Sequence, residues 1–139
     1  MKYKKCNSKV IVRIDKGEEI ITCLNQLCEE LNIKSGTIFG IGATNKVQIG
    51  IYETKNKKYI SKKFTGDHEI APLLGNIASM NDKPYLHLHI NICNTKNESF
   101  SGHLNSAIVS ATFEGVIDII DGNIKREYDK ESGLNLIKL

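Results

Sequence analysis

The sequence predicts an α+β fold in which one long helix packs on a mostly antiparallel, twisted sheet. Apolar residues recur at helical spacing in one early segment. From Thr37 onward they recur at every second position, and many of them are β-branched. The 139 residues are 40% hydrophobic and 25% charged, which suffices for one hydrophobic core. We therefore expect a single domain over residues 1–139.

The first predicted elements are a strand and the helix. Polar and apolar residues alternate over Lys9–Ile14, which predicts a half-buried strand. Asp15 and Glu18 then have the spacing of a capping box, which marks the start of a helix. Apolar residues at helical spacing follow, so the helix is predicted over Gly17–Leu31 and is ended by Asn32.

The remainder of the chain is predicted to form strands separated by turn-rich segments. Six segments have the required alternation, namely Thr37–Gly40, Val47–Glu53, Tyr59–Thr65, Glu69–Ser79, Tyr85–Cys93 and Ala107–Ile120. Pro72 lies within the fourth of these. Because proline cannot donate to a neighbouring strand, we expect a kink or an edge position there.

Charge and composition exclude several classes of protein. The net charge is +3, and Arg13 and Arg126 are the only arginines. Because arginine makes the commonest specific contact with DNA bases, the sequence argues against a protein that recognises a DNA sequence by itself. No apolar run has the length of a membrane-spanning helix, and the N-terminus lacks the apolar core of a signal peptide. The four cysteines show no CxxC spacing, which favours free thiols in a reducing compartment. We expect a cytoplasmic protein with no membrane partner.

The candidate site consists of three histidines within seventeen residues. His87 and His89 are two residues apart on a predicted strand, so their side chains share one face. The turn-rich segment 94–99 can return the chain and bring His103 beside them. Three neutral imidazoles form a ligand set for zinc or another divalent metal, with a fourth position open. The alternative is that these histidines lie on a solvated strand face and bind nothing.

Two glutamates are weaker candidates as accessory groups. Glu69 follows His68 and is either a fourth ligand or general base, or half of a surface pair. Glu114 lies in an otherwise apolar strand, where it either orients a ligating imidazole or faces solvent.

An ordered series of short motifs covers nearly the whole chain and resembles the PPC domain (plants and prokaryotes conserved domain) family. The motifs are Asp15–Glu19, Gly40–Ala43, Gly50–Tyr52, Glu69–Ile70, Leu73–Ala78, Pro84–His89, Gly102–Leu104 and Ala111–Glu114. The resemblance implies a homotrimer and a metal site at His87, His89 and His103. Plant members follow an AT-hook that supplies the DNA contact, and no such segment occurs here, so the resemblance is to the stand-alone prokaryotic type.

Three functions remain open at this stage. The first is a trimeric metal-binding module of the PPC type. Such a module would serve in assembly, or bind a small-molecule ligand or a protein partner, and it would be named as a DNA-binding protein. The alternative is a zinc-dependent enzyme, because the fold is similar to that of acetolactate decarboxylase, whose zinc is also held by three histidines. Glu69 and Glu114 would then be the acid–base candidates. The third is weak, nonspecific DNA contact through Lys55, Lys57, Lys58, Lys62 and Lys63.

Overall fold

Eight strands and one helix form the protein, and the computed structural model describes residues 1–139. The helix, α1, spans Ile20–Glu30. The strands, in chain order from β1 to β8, span Lys2–Cys6, Lys9–Asp15, Gly36–Glu53, Lys58–Met80, Lys83–Asn94, Ser99–Ile119, Arg126–Asp129 and Leu134–Ile137. No helix has the length and apolarity that crossing a membrane requires.

Six of the strands form one antiparallel sheet in the order β1-β2-β6-β3-β4-β5. β5 also pairs with β6, so the pairings of the four long strands β3, β4, β5 and β6 close into a ring. α1 packs against one face, and its buried side chains join strand residues in a single core cluster of 23 residues. The predicted mostly antiparallel sheet with one packed helix is confirmed, and β7 and β8 add a separate two-stranded ribbon.

The helix is shorter than predicted and begins later. It has 11 residues, because Glu19 rather than Asp15 is its N-cap: the Glu19 carboxylate accepts hydrogen bonds from the backbone N–H groups of Ile21 and Thr22. The predicted capping residues form a turn ahead of it, where Glu18 accepts a hydrogen bond of 2.8 Å from the N–H of Asp15. Asn32 follows the helix with a φ of 52°, in the left-handed region, and it ends the helix as predicted.

Strand boundaries differ more from the prediction than strand positions do. The first two predicted strands after α1 are one continuous strand, β3, and the next two are likewise joined as β4. The pairing of β3 with β4 shifts its register between Gly40 and Gly42 and again between Thr44 and Lys46. These shifts leave residues within the turn-like segments unpaired with β4 while the pairing continues on either side of them. Pro72 lies at a further register shift between Ile70 and Leu73, in a strand with neighbours on both sides. The irregularity expected there is present, and the edge position is not.

The sheet face opposite the helix carries an exposed apolar row that ends at the candidate site. Ile11, Val116, Phe39 and Leu74 occupy adjacent register positions on β2, β6, β3 and β4, and we call them the apolar stripe. Their exposed fractions are 46%, 36%, 55% and 50%. The next position along the row, on β5, is His89. The candidate site therefore borders a surface that a monomer leaves uncovered.

Candidate metal centre

The structure brings the three predicted histidines together on the outer face of the ring. His87 and His89 project from β5 because Leu88 and Ile90, each 1% exposed, bury the other side of that strand. β6 returns antiparallel with His103 directly opposite His89. One nitrogen from each imidazole lies within 4.8 Å of the other two, and the ring centroids are 5.2 to 5.7 Å apart.

Two glycines allow the backbone approach that places His103. Gly50 of β3 pairs with His103, and a Cβ on Gly102 would lie only 2.7 Å from the carbonyl oxygen of Gly50. The missing side chain of Gly50 also leaves room for the hydroxyl of Tyr59, which donates a 2.8 Å hydrogen bond to the Oδ1 of Asn105. The Tyr59 ring meets His103 edge-on at 6.1 Å between centroids, which fixes one side of that imidazole.

The environment of His87 and His103 favours the neutral imidazole, the form that binds a metal. Burial lowers the pKa of His87 to about 4, assisted by the positive charge of Arg126 and by the neighbouring His103 and His89. Burial and the neighbouring His89 also lower the pKa of His103. The three-nitrogen donor set fits zinc.

A cavity of about 570 Å³ opens beside the histidines. Its walls are the ends of the β3–β4 hairpin, the cluster itself and the β7–β8 ribbon, which folds back across the outer face. The contacts that hold the ribbon in place include two made by tyrosines: the Tyr52 hydroxyl donates to the carbonyl of Ser132 at 2.9 Å, and the Asn135 amide donates to the Tyr85 hydroxyl at 3.3 Å. The volume is in the range of small-molecule sites.

Arg126 is the site residue that sequence reasoning did not find. It begins β7, is 8% exposed and lines the cavity, with its Nη2 3.4 Å from the Nδ1 of His87. Burial lowers the pKa of the guanidinium, although Tyr85 opposes this shift. The sequence contains only two arginines, and this scarcity was the one available signal for a special role of Arg126. The other arginine, Arg13, is exposed on β2 and forms an ion pair with Asp15.

The two accessory glutamates lie elsewhere. Glu69 is exposed on β4 opposite Cys93, in a separate groove with His68, whose Nδ1 is 2.7 Å from the carbonyl oxygen of Gly66. Glu114 is exposed on β6 between its register partners Arg13 and Ile41. Neither glutamate lines the cavity beside the histidines.

The family model described as the Plants and Prokaryotes Conserved domain matches residues 1–121. The chain belongs to this family. The match covers the sheet, the helix and all three histidines of this PPC protein, and it ends before the β7–β8 ribbon that supplies Arg126. No protein with a curated function matches the chain.

Solved structures share the fold of this PPC protein over nearly its full length. A Bacteroides thetaiotaomicron protein with the provisional name of a DNA-binding protein is 40% identical, with a TM-score of 0.96 over 99% of this chain and 96% of that one. A metal-containing protein from Archaeoglobus fulgidus is 29% identical, with a TM-score of 0.88 and full coverage of both chains. A Pyrococcus horikoshii PPC protein is 25% identical, with a TM-score of 0.87 over 99% and 94% of the two chains.

Proposed function

We propose that this PPC protein is a cytoplasmic, homotrimeric module that holds one divalent metal ion at His87, His89 and His103. The observation that carries the proposal is the convergence of three imidazoles at the edge of an open cavity. The nitrogen ligands favour zinc over magnesium or calcium, which prefer oxygen ligands. The Archaeoglobus fulgidus relative, described as metal-containing, supports a metal in this fold.

The assembly and the extent of the domain are parts of the same proposal. The apolar stripe offers each copy a row of large side chains to bury against other copies, as the family resemblance implies. The ribbon belongs to the same domain over residues 1–139, because Arg126 donates hydrogen bonds to the Oδ1 of Asn76 on β4 and to the carbonyl of Asn135. Buried, free Cys23 and Cys28 suit a reducing compartment.

Ligand binding is favoured over catalysis at this site. A zinc-dependent hydrolase or decarboxylase needs a group that transfers a proton close to the metal. The carboxylates considered for that role, Glu69 and Glu114, lie outside the cavity, and no aspartate or glutamate lines it. We therefore propose that the cavity presents the metal to a bound molecule without converting it.

Metal content of untagged protein tests the metal site. We expect about one zinc per chain by mass spectrometry, either as purified or after the chelator-stripped protein is incubated with zinc and dialysed. Because imidazoles bind zinc in competition with protons, zinc is expected to dissociate as the pH falls below the range in which the histidines are neutral. Protein that retains no zinc after reconstitution at neutral pH contradicts the proposal.

Nonspecific DNA contact is a second candidate, favoured by the lysines of the β3–β4 hairpin. Lys55, Lys57 and Lys58 are exposed at its turn, and Lys62 and Lys63 are exposed along β4. In gel-shift titrations, binding should weaken steeply with salt, with a slope of roughly −0.9 per phosphate contacted. A variant with Lys55, Lys58 and Lys63 changed to glutamine should show a shallower slope. Absence of any shift at low salt would remove this candidate.

A further inference from the structure

The cavity beside the histidines contains a buried positive charge without an anionic partner. The Arg126 guanidinium is held by neutral groups: its Nη1 donates to the carbonyl of Asn135 at 2.6 Å, and its Nη2 donates to the Oδ1 of Asn76 at 2.7 Å. Its Cζ lies 5.0 Å from the centre of the Tyr85 ring. These contacts fix the orientation of the group and leave its charge uncompensated.

The hydrogen-bonding capacity of Arg126 is also incompletely used. The buried Nε has no hydrogen-bond partner, and no carboxylate lies within ion-pair distance of the guanidinium. Buried charges in proteins are normally paired, because taking an isolated charge out of water is costly. A 92% buried arginine on a cavity wall without acidic residues therefore implies that the compensating negative charge arrives with a ligand.

We propose that the cavity binds a small organic carboxylate whose negative charge is matched by Arg126, next to the metal site. This inference rests on the proposed function for its metal, which would add two further positive charges beside Arg126. The positive charge of Arg126 does not depend on a bound metal, because arginine remains protonated in proteins.

The lining of the cavity selects the class of anion. Apart from the metal, Arg126 is the only cationic side chain in the lining, and the lysine or helix N-terminus that commonly binds a phosphate is not present there. Much of the remaining lining is apolar or aromatic and includes Ile51, Leu134, Leu136 and three tyrosine rings. A monoanion with an apolar body fits this lining, and a volume of about 570 Å³ limits the ligand to a small molecule.

Calorimetric titrations with matched probes test the proposal. The probes are acetate, benzoate, the neutral isostere benzamide, and inorganic phosphate, each titrated into zinc-loaded and zinc-free wild-type protein. Benzoate should bind at least about tenfold more tightly than benzamide, because a hydrogen bond to a charged group contributes about 1.5–3 kcal/mol. It should also bind more tightly than phosphate. Benzoate no tighter than benzamide, or no saturable binding of either carboxylate at millimolar concentration, overturns the proposal, and phosphate tighter than both carboxylates replaces it with a phosphate site.

Substitution of Arg126 separates the two proposals. In zinc-free protein, where the contact of Arg126 with His87 cannot act through the metal, Arg126→Gln should weaken benzoate binding at least about tenfold, and Arg126→Lys, which keeps the charge, should retain part of the affinity. Unchanged benzoate affinity in Arg126→Gln overturns the role of this residue. If Arg126→Gln fails to fold, the benzoate–benzamide comparison in wild type and Arg126→Lys still decides. Absence of zinc from wild type would contradict the metal site, whereas the zinc-free titration would still test the anion.

Discussion

Replacing His89 with alanine is expected to reduce zinc affinity by at least about 100-fold. Loss of a hydrogen-bond partner of a ligating histidine costs about 10–100-fold, and loss of a ligand itself should cost more. His89 is exposed and belongs to no part of the core, so its truncation should leave the fold intact. Competition with a chromophoric chelator measures the affinity, and zinc retained after dialysis against a chelator gives an independent measure.

His68→Ala is the matched control for this variant. It removes the same side chain from the one histidine that lies in a separate groove, and it should leave zinc affinity unchanged. Because His68 is only 7% exposed, thermal melts of both variants are needed to show that each is folded. Wild-type affinity in His89→Ala, or an equal loss of affinity in both variants, would contradict a site formed by the three clustered histidines.

The sequence predicted the type of each major element because the type depends on local periodicity. The apolar repeat within Gly17–Leu31 identified a helix, although its start depended on whether Asp15 or Glu19 caps it. The breaks expected within β3 and β4 did not occur, because pairing with the neighbouring strands carries through glycine and threonine at the cost of a register shift. The ribbon strands have four residues each, too few to show a period.

The candidate site was predictable where it depended on strand geometry. The two-residue spacing of His87 and His89 and a short return of the chain were enough to suggest His103, which the structure places opposite His89. Arg126 was not predictable in the same way. Its position beside His87 depends on the β7–β8 ribbon, which crosses the outer face of the sheet. The spacing of residues in the sequence does not predict where that ribbon packs. The positive charge that Arg126 places in the cavity could therefore be found only from the structure.

Phe39→Lys is expected to convert the proposed homotrimer into a folded monomer. Wild-type protein should show about three times the monomer mass of 15.5 kDa by light scattering, and the variant should show the monomer mass. Phe39 is at the centre of the apolar stripe and 55% exposed, so lysine can be accommodated in the isolated chain. In a trimer that buries the stripe, it would place a charge without a partner in the interface, which is strongly unfavourable.

The control Ile60→Lys makes the same kind of change at a residue that is 52% exposed on the β3–β4 hairpin, away from the stripe, and it should remain trimeric.

Zinc content distinguishes assembly from metal binding. All three histidines come from one chain, so monomeric Phe39→Lys should keep its zinc even though Leu74, at the end of the stripe, is the register neighbour of His89. A monomeric wild type, or a trimeric Phe39→Lys, would show that the stripe is not the surface through which copies associate. Loss of zinc together with loss of the trimer would instead mean that a neighbouring copy completes the site.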